Sequence, residues 1–463
     1  MNRFTKSGWL VALLFTLSTA LMLPAADAAL RDQVFETVLP NGLKVILLEN
    51  HKAPLLTFQV WYRVGSRNEA WGKTGLSHVL EHMMFKGTEK VGPEDFSRIV
   101  QENGGNLNAF TSRDYTAYFE NLSSDRVQVA IELEADRMQN LVLRENDFHT
   151  ERMVVMEERR LRTDDSPGAV LVEQLEATAF QIQPYRWPII GWMQDLEKLT
   201  LEDLKVYYQA YYPPVNAFLV VVGDFNREDL LSKIETAFGP IPKGVAPDQE
   251  RGRESLQLGE RRIVVKKEAQ LPSLVMGYHV PNLKERDSYV LEVIAALLSR
   301  GKTSRLYQSL VRGKQLVLSA DADHSLLTRD PSLFYLWADP LPGKEVADVE
   351  KALDQEVERL QRELINEREL EKVKNQLESS FIFAQDSLFF QAMVLARYEI
   401  VSTWRAVDDY IPSIRSVTPA DIQRVASKVL IPDNRTVGIL VPLPPKEGKT
   451  LPSGPAIKER VIQ

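Results

Sequence analysis

The sequence predicts an α+β protein built of two homologous mixed α/β domains, the product of an internal duplication. Three observations carry this reading. At 463 residues the chain exceeds the roughly 250 to 300 residues at which a single core stops growing. A Pro-, Gly- and charge-rich stretch from Gly239 to about Glu260 has no apolar periodicity and reads as a linker near the middle of the chain. Strand and helix patterns are intermixed in each half without a regular βαβ repeat, and the second half restarts the programme of the first. On pattern alone, two unrelated α+β halves remain the alternative.

The first 28 residues have the form of an export signal. Arg3 and Lys6 precede an apolar run from Trp9 to Leu23, and Ala26-Asp27-Ala28 supplies a small-x-small cleavage site. The run is shorter than the about 20 residues of a spanning helix, which leaves an uncleaved anchor as the alternative. The expected division is then a first domain over 29–240, a linker over 241–262, a second domain over 263–445 and a Pro- and Lys-rich tail over 446–463.

Within the first domain, Phe35 to Leu39 and Leu43 to Leu48 flank Pro40-Asn41-Gly42, a hairpin signal. A strand over Leu56 to Val64 leads into a helix carrying Leu76, Val79, Leu80 and Met83 as one apolar stripe. Further along come a strand-like stretch from Asn108 to Leu122, a helix from about Arg126 to Leu141 and a longer one from near Asp147 through Arg160. A buried strand at Phe218 to Val222 precedes a helix from Glu228 to Phe238. The second domain reads as strands at Ile263 to Lys267 and Leu274 to Tyr278, a helix at Tyr289 to Leu298 and a strand at Leu333 to Ala338. A helix at Val346 to Leu364 and a last strand at Thr436 to Val441 complete it.

Composition narrows the chemistry. With 44% hydrophobic and 26% charged residues the chain is globular rather than disordered. A net charge of −8 gives no footprint for nucleic acid. The absence of cysteine excludes disulfides and thiolate ligands, so any metal falls to carboxylates and the six histidines.

Two of those histidines stand in His78-Val-Leu-Glu-His82. At about 100° per residue, His78, Glu81 and His82 share one arc of a helix, opposite the apolar stripe. Two imidazoles one turn apart can hold one Zn²⁺, and a carboxylate between them can take a proton from water. Glu151 and Glu158, seven apart on a predicted helix, fall nearly in line with Val154 and Val155 between them. Carboxylates on an apolar face need a partner or a metal. With the two histidines upstream, Glu158 is the better candidate for a ligand, and Glu151 divides evenly between structure and function.

The chain resembles the pitrilysin-type zinc peptidases, whose His-x-x-Glu-His order inverts that of the common zinc proteases. It is most similar to the shorter branch that includes mitochondrial processing peptidase and bacterial relatives. The resemblance runs from Val34 to Val441. It is carried by Val64-Gly-Ser-Arg-Asn-Glu69, Gly75 to His82 with Phe85-Lys-Gly-Thr88, Gly104-Gly105 with Asn108-Ala-Phe-Thr111, and Glu151-Arg-Met-Val-Val-Met-Glu-Glu158. Pro188-Ile-Ile-Gly-Trp192, Val222-Gly-Asp-Phe225 and Ser304-Arg-Leu-Tyr-Gln-Ser-Leu310 complete it. It implies a LuxS- and processing-peptidase-like metallohydrolase fold with the two domains facing each other around a cleft. It further implies one zinc on His78, His82 and Glu158, Glu81 as general base, Glu151 orienting a ligand histidine, and peptide bound along Asn108, Ala109 and Phe110. Export implies the periplasm of a Gram-negative bacterium.

One departure stands out. Self-sufficient members carry an Arg and a Tyr seven residues apart after the Ser-Arg-Leu-Tyr block, where this chain has Val311 and Leu318, with Arg312 adjacent. The second half also reads Val293-Ile-Ala-Ala-Leu297 where a metal motif would repeat. The resemblance therefore implies half of a two-chain endopeptidase whose partner is a homologous subunit bringing the Arg/Tyr pair, or a second copy of the chain. A non-catalytic scaffold or peptide-binding subunit is the alternative.

Overall fold

The computed structural model describes residues 30–249 and 252–444; the signal-like segment and the tail over 446–463 lie outside these residues. The first half runs α1 (Leu30–Gln33), β1 (Val34–Val38), β2 (Lys44–Glu49), β3 (Leu55–Tyr62), α2 (Leu76–Met83), α3 (Asp95–Glu102), β4 (Asn106–Thr111) and β5 (Thr116–Ser123). It continues with α4 (Val127–Asn140), α5 (Glu145–Arg159), α6 (Pro167–Ala179), α7 (Met193–Leu196), α8 (Leu201–Tyr211), β6 (Ala217–Gly223) and α9 (Arg227–Phe238). The second half runs β7 (Arg261–Glu268), β8 (Ser273–Val280), α10 (Asp287–Ser299), β9 (Val317–Asp323), β10 (Ser332–Pro340) and α11 (Val346–Arg362). It ends with α12 (Glu367–Ala384), α13 (Leu388–Val401), α14 (Tyr410–Arg415), α15 (Pro419–Val429) and β11 (Arg435–Leu443). Residues 239–249 and 252–260 carry neither helix nor strand.

The duplication is visible in strand order. The first sheet is β1-β2-β6-β3-β5-β4 and the second β7-β11-β8-β10-β9. β2 pairs parallel with β6 as β7 does with β11, and every other neighbour in either sheet is antiparallel. The approach to the central strand repeats down to its caps. Thr200 and Asp203 form a capping box on α8 as Thr418 and Asp421 do on α15, and one-turn segments Pro214–Asn216 and Pro432–Asn434 then lead into β6 and β11. The box satisfies N–H groups that the first turn leaves without a helical partner.

Each sheet obtains the cover for one face from the other half. On the first sheet, Ile46, Trp61, Phe218, Val220 and Val222 join a buried cluster with Ala392, Leu395 and Ala396 of α13. Arg63 of the first half donates to the Glu399 carbonyl and carboxylate at 2.8 and 2.7 Å. On the second sheet, Leu171 and Leu175 of α6 pack with Val275, Leu333 and Leu440. Gly277 and Gly438 make room for α6: a Cβ on Gly438 would stand 3.1 Å from Leu171 and 3.3 Å from Leu175. Two-sided cover explains the unbroken apolar run of β6, where Leu219 and Val221 join one core and Val220 and Val222 the other.

The Asn41-Gly42 turn forms as its sequence requires, with Gly42 at φ 87° and β1 antiparallel to β2. The stretch read as one strand from Asn108 to Leu122 is corrected to a hairpin: the chain reverses over Ser112–Tyr115, where Ser112 Oγ accepts from the N–H groups of Asp114 and Tyr115 at 3.1 and 3.2 Å. Among the described residues, no single helix is long and apolar enough to cross a membrane.

Because Leu175 precedes the linker yet packs on the second sheet, Leu175→Ala is expected to cost about 2–5 kcal/mol. It should also speed amide exchange in β8 and β11, strands that lie far downstream in the second half. Unaltered exchange in those strands, read by mass spectrometry, would show that α6 does not support the second sheet.

Candidate metal centre

α2 starts where two backbones touch. Gly75, at φ 93°, lies against Gly191, whose hypothetical Cβ would come within 2.6 Å of the Gly75 Cα. Any side chain there would push the helix away. The first-turn N–H groups of Gly75 and Ser77 donate to the Glu69 carboxylate at 2.7 and 2.8 Å. Burial nevertheless pushes Glu69 up to about 8. Leu76, Val79, Leu80 and Met83 are buried as the stripe predicts, which leaves His78, Glu81 and His82 on the opposite side.

α5 brings the acids. One ligand atom each from His78, His82 and Glu158 lies within 4.8 Å of the others. Glu158 Oε2 stands 3.7 Å from His78 Nε2 and 3.6 Å from His82 Nε2. These separations are long for hydrogen bonds and close to the about 3.3 Å edge of a tetrahedron with metal–ligand bonds near 2.0–2.1 Å. Glu151 takes the other side of His82, with Oε2 2.9 Å from Nδ1, and its Oε1 meets Lys86 Nζ at 2.6 Å. A proton on Nδ1 leaves the Nε2 lone pair directed at Glu158, the tautomer a metal needs. The three donors therefore fit a divalent ion in type and spacing.

The electrostatics agree. Burial and the neighbouring His82 push His78 down to about 4. Burial also opposes charge on His82, but its bond to Glu151 and the nearby Glu158 and Glu81 charges prevail and raise it to about 9. The close approach of His82 holds Glu158 down to about 2, and its bond to Glu151 lowers that acid as well. Burial raises Glu81, while a 2.5 Å bond from Thr111 Oγ1 opposes the shift. Acids concentrated around one spot thus attract a positive charge.

The remaining predicted residues divide. Val155 is buried as expected, but Val154 is 44% exposed, which corrects the apolar stripe between Glu151 and Glu158: α5 is packed on one flank of that line and open on the other. β4 is an edge strand. Asn108 is exposed there, its Oδ1 accepting from Ala109 N at 2.9 Å. Ala109 packs toward the core under α2, whereas Phe110 points to the opposite face, against Trp61, Tyr115 and Phe119. The three residues share a free backbone edge rather than a face. In the second half, Leu318 is 49% exposed on the edge strand β9, Val311 is half-buried and Arg312 is exposed.

Sequence reasoning missed Thr111, Lys86, Arg162 and Arg159. Alternation along β4 puts Thr111 on the Ala109 face, toward Glu81, and Lys86 follows His82 by one turn. Arg162 Nη1 lies 3.1 Å from Glu158 Oε1. Arg159 is buried and binds Glu173 of α6 through both oxygens at 2.9 and 3.0 Å. It also donates to the Gly191 carbonyl at 2.7 Å. One guanidinium thereby joins the helix of Glu158 to the loop on which the His78 helix starts.

Comparison with known proteins agrees with this geometry. Residues 44–191 match the family described as insulinase (peptidase family M16), and residues 198–377 match the peptidase M16 inactive domain. The zinc protease PqqE of Helicobacter pylori is 35% identical over 87% of this chain and 92% of its own length. This chain belongs to peptidase family M16. A solved protease from Helicobacter pylori superposes with a TM-score of 0.85 at 34% identity, covering 88% of this chain and 99% of that one. The periplasmic protease PqqL of Escherichia coli shares the fold at 17% identity and a TM-score of 0.75, covering 89% of this chain but only 48% of its own.

Replacing Arg159 by Met strands Glu173 in a buried position, and a loss of about 3–5 kcal/mol is expected in urea unfolding. The double variant Arg159→Met/Glu173→Leu should regain most of it. A double variant no more stable than the single one would show that the pair is not what holds α5 to α6.

Proposed function

We propose that this M16 protein is a zinc-dependent endopeptidase acting on peptides or unfolded segments, and the catalytic half of a two-chain enzyme. The observation that supports this best is the convergence of His78, His82 and Glu158 with Glu81 on the same face of α2. Zinc held by these three residues supplies a Lewis acid that polarises a peptide carbonyl and acidifies water. Glu81 accepts the proton and returns it to the leaving amine. Thr111 aims the buried Glu81 carboxylate and opposes the upward shift that burial gives it, and Glu151 holds the His82 tautomer while Lys86 balances its charge. The free edge of β4 at Asn108, Ala109 and Phe110 offers N–H and C=O groups to which an extended peptide adds as a strand. The segment Arg3 to Ala28 would deliver the protein to the periplasm.

A second reading has its own support: the match of residues 198–377 to an inactive domain, with Val311 and Leu318 in place of Arg and Tyr, suits a scaffold or peptide-binding subunit. Zinc content separates the two. The purified chain should hold one equivalent, reduced in Glu158→Gln and absent in His78→Ala/His82→Ala. Glu81→Gln should keep its zinc and lose hydrolysis by at least the roughly 10²- to 10⁴-fold of a missing general base. A chain without stoichiometric zinc would favour the scaffold, and near-normal turnover in Glu81→Gln would end the proposed mechanism.

Two-chain action is tested by reconstitution. The chain alone should cleave a quenched fluorescent peptide library poorly, since one missing oxyanion donor costs roughly 2.7–4 kcal/mol. A homologous subunit with the Arg/Tyr pair should restore the rate. High activity of the chain alone, unchanged by that subunit or by dilution, would mean the chain is self-sufficient.

A further inference from the structure

The second half repeats the framework of the metal centre without its ligands. α10 follows β8 as α2 follows β3, and α12 packs on α10 as α5 packs on α2. The helices can be registered by their cores: Phe148 and Leu370 are each the fourth residue of their helix and buried. The fourteenth residue is Glu158 in α5 and Ser380 in α12.

Beside Ser380 lies a groove of about 630 Å³ between the end of α10 and one side of α12, within the roughly 300–1,000 Å³ of ligand clefts. Arg300, Arg368 and Lys372 line it with a single acid, Glu371. That acid is engaged, its oxygens 3.3 Å from Lys374 Nζ and 3.4 Å from Arg415 Nη1. Arg300 donates to Ser380 Oγ at 2.5 Å and so holds a positive charge over the residue that replaces Glu158. Arg368 has no side-chain hydrogen bond or ion pair among the described residues. Gln376 Oε1 is buried in the lining and likewise lacks a partner.

In a protein of net charge −8, this excess of positive donors selects an anion, and the orphaned oxygen asks for a donor on the same ligand. A peptide end supplies both, a carboxylate and the N–H before it. We propose that the groove between α10 and α12 is a second, non-catalytic peptide site that binds a carboxylate-bearing peptide segment. The choice of a peptide rests on the peptidase reading; the carboxylate rests on the lining alone. Where the first half cuts, the second half holds.

The test uses the full chain carrying Glu81→Gln, so that binding is read without turnover. The probe is a fluorescein-labelled decapeptide of Ala, Ser, Gly and Leu in three forms: free C-terminal carboxylate, C-terminal amide, and the amide with two internal Asp. Fluorescence anisotropy should find the free acid bound at least about tenfold more tightly than the amide. If the Asp form matches the free acid, side-chain carboxylates serve as well; if it matches the amide, the site reads the chain terminus, and either result supports it. Arg368→Gln/Lys372→Gln should erase the discrimination without changing the melting temperature. Equal binding of acid and amide, no binding of any form, or discrimination that survives the double variant would overturn the proposal. None of these results alters zinc content or hydrolysis, so the peptidase reading stands or falls separately.

Discussion

Neither sheet of this protein can be buried by its own half of the chain. α13 covers the first and α6 the second, and most of what is distinctive about the molecule follows from that exchange. It makes β6 apolar on both faces and requires Gly277 and Gly438 under Leu175. It also draws the elements of the candidate metal centre into the contact between the halves. α6 carries Glu173, which holds Arg159 next to Glu158. It also carries Glu176, which accepts from Arg113 at 2.6 Å and from Tyr335 Oη at 2.6 Å. Arg113 sits in the turn that follows Thr111, the partner of Glu81. The helix of Glu158 and the hairpin behind Glu81 are thus both pinned to a helix that rests on the second sheet.

The candidate metal centre is a problem in charge placement. Glu81, Glu151 and Glu158 crowd two imidazoles, and the acids differ by what each one touches. Glu158 is stabilised as an anion by His82 and Arg162, Glu151 by His82 and Lys86, and Glu81 by Thr111 and the His82 charge against a larger cost of burial. The group left least comfortable as an anion is the one best suited to accept a proton. The second half shows the converse: once Ser380 stands where Glu158 stood, the need for a cation vanishes and Arg300 occupies its neighbourhood.

Much of this was legible in the residues. The Asn41-Gly42 hairpin, the stripe on α2, the helices bearing His78, His82, Glu151 and Glu158, and the restart after Gly239 are local patterns that tertiary contacts reinforce. What escaped notice was governed by distant contacts. α6 and α13 were not anticipated because helices sandwiched between a sheet and other elements lack a one-sided apolar stripe. The Ser112–Tyr115 reversal uses a serine hydroxyl instead of Gly or Asn-Gly, so β4 and β5 merged into one strand. Val154 followed helical geometry correctly, but geometry alone does not say which flank of α5 meets a neighbour. Thr111 stands within the Asn108-Ala-Phe-Thr111 motif, but only the packing of β4 under α2 gives it a role.

The exchange also sets a timetable. Trp61, Phe218, Val220 and Val222 leave the ribosome long before Leu388–Val401, which shields them. At about 5–20 residues per second, the nascent first sheet waits roughly 10 to 30 seconds with an apolar face bare. During that interval the N-terminal half has its own core on one face of the sheet and a bare surface for chaperones on the other, and a ribosome stalled within the second half would release an adhesive fragment. Gene fragments split at the linker would fail separately and succeed together, because each carries the lid of the other.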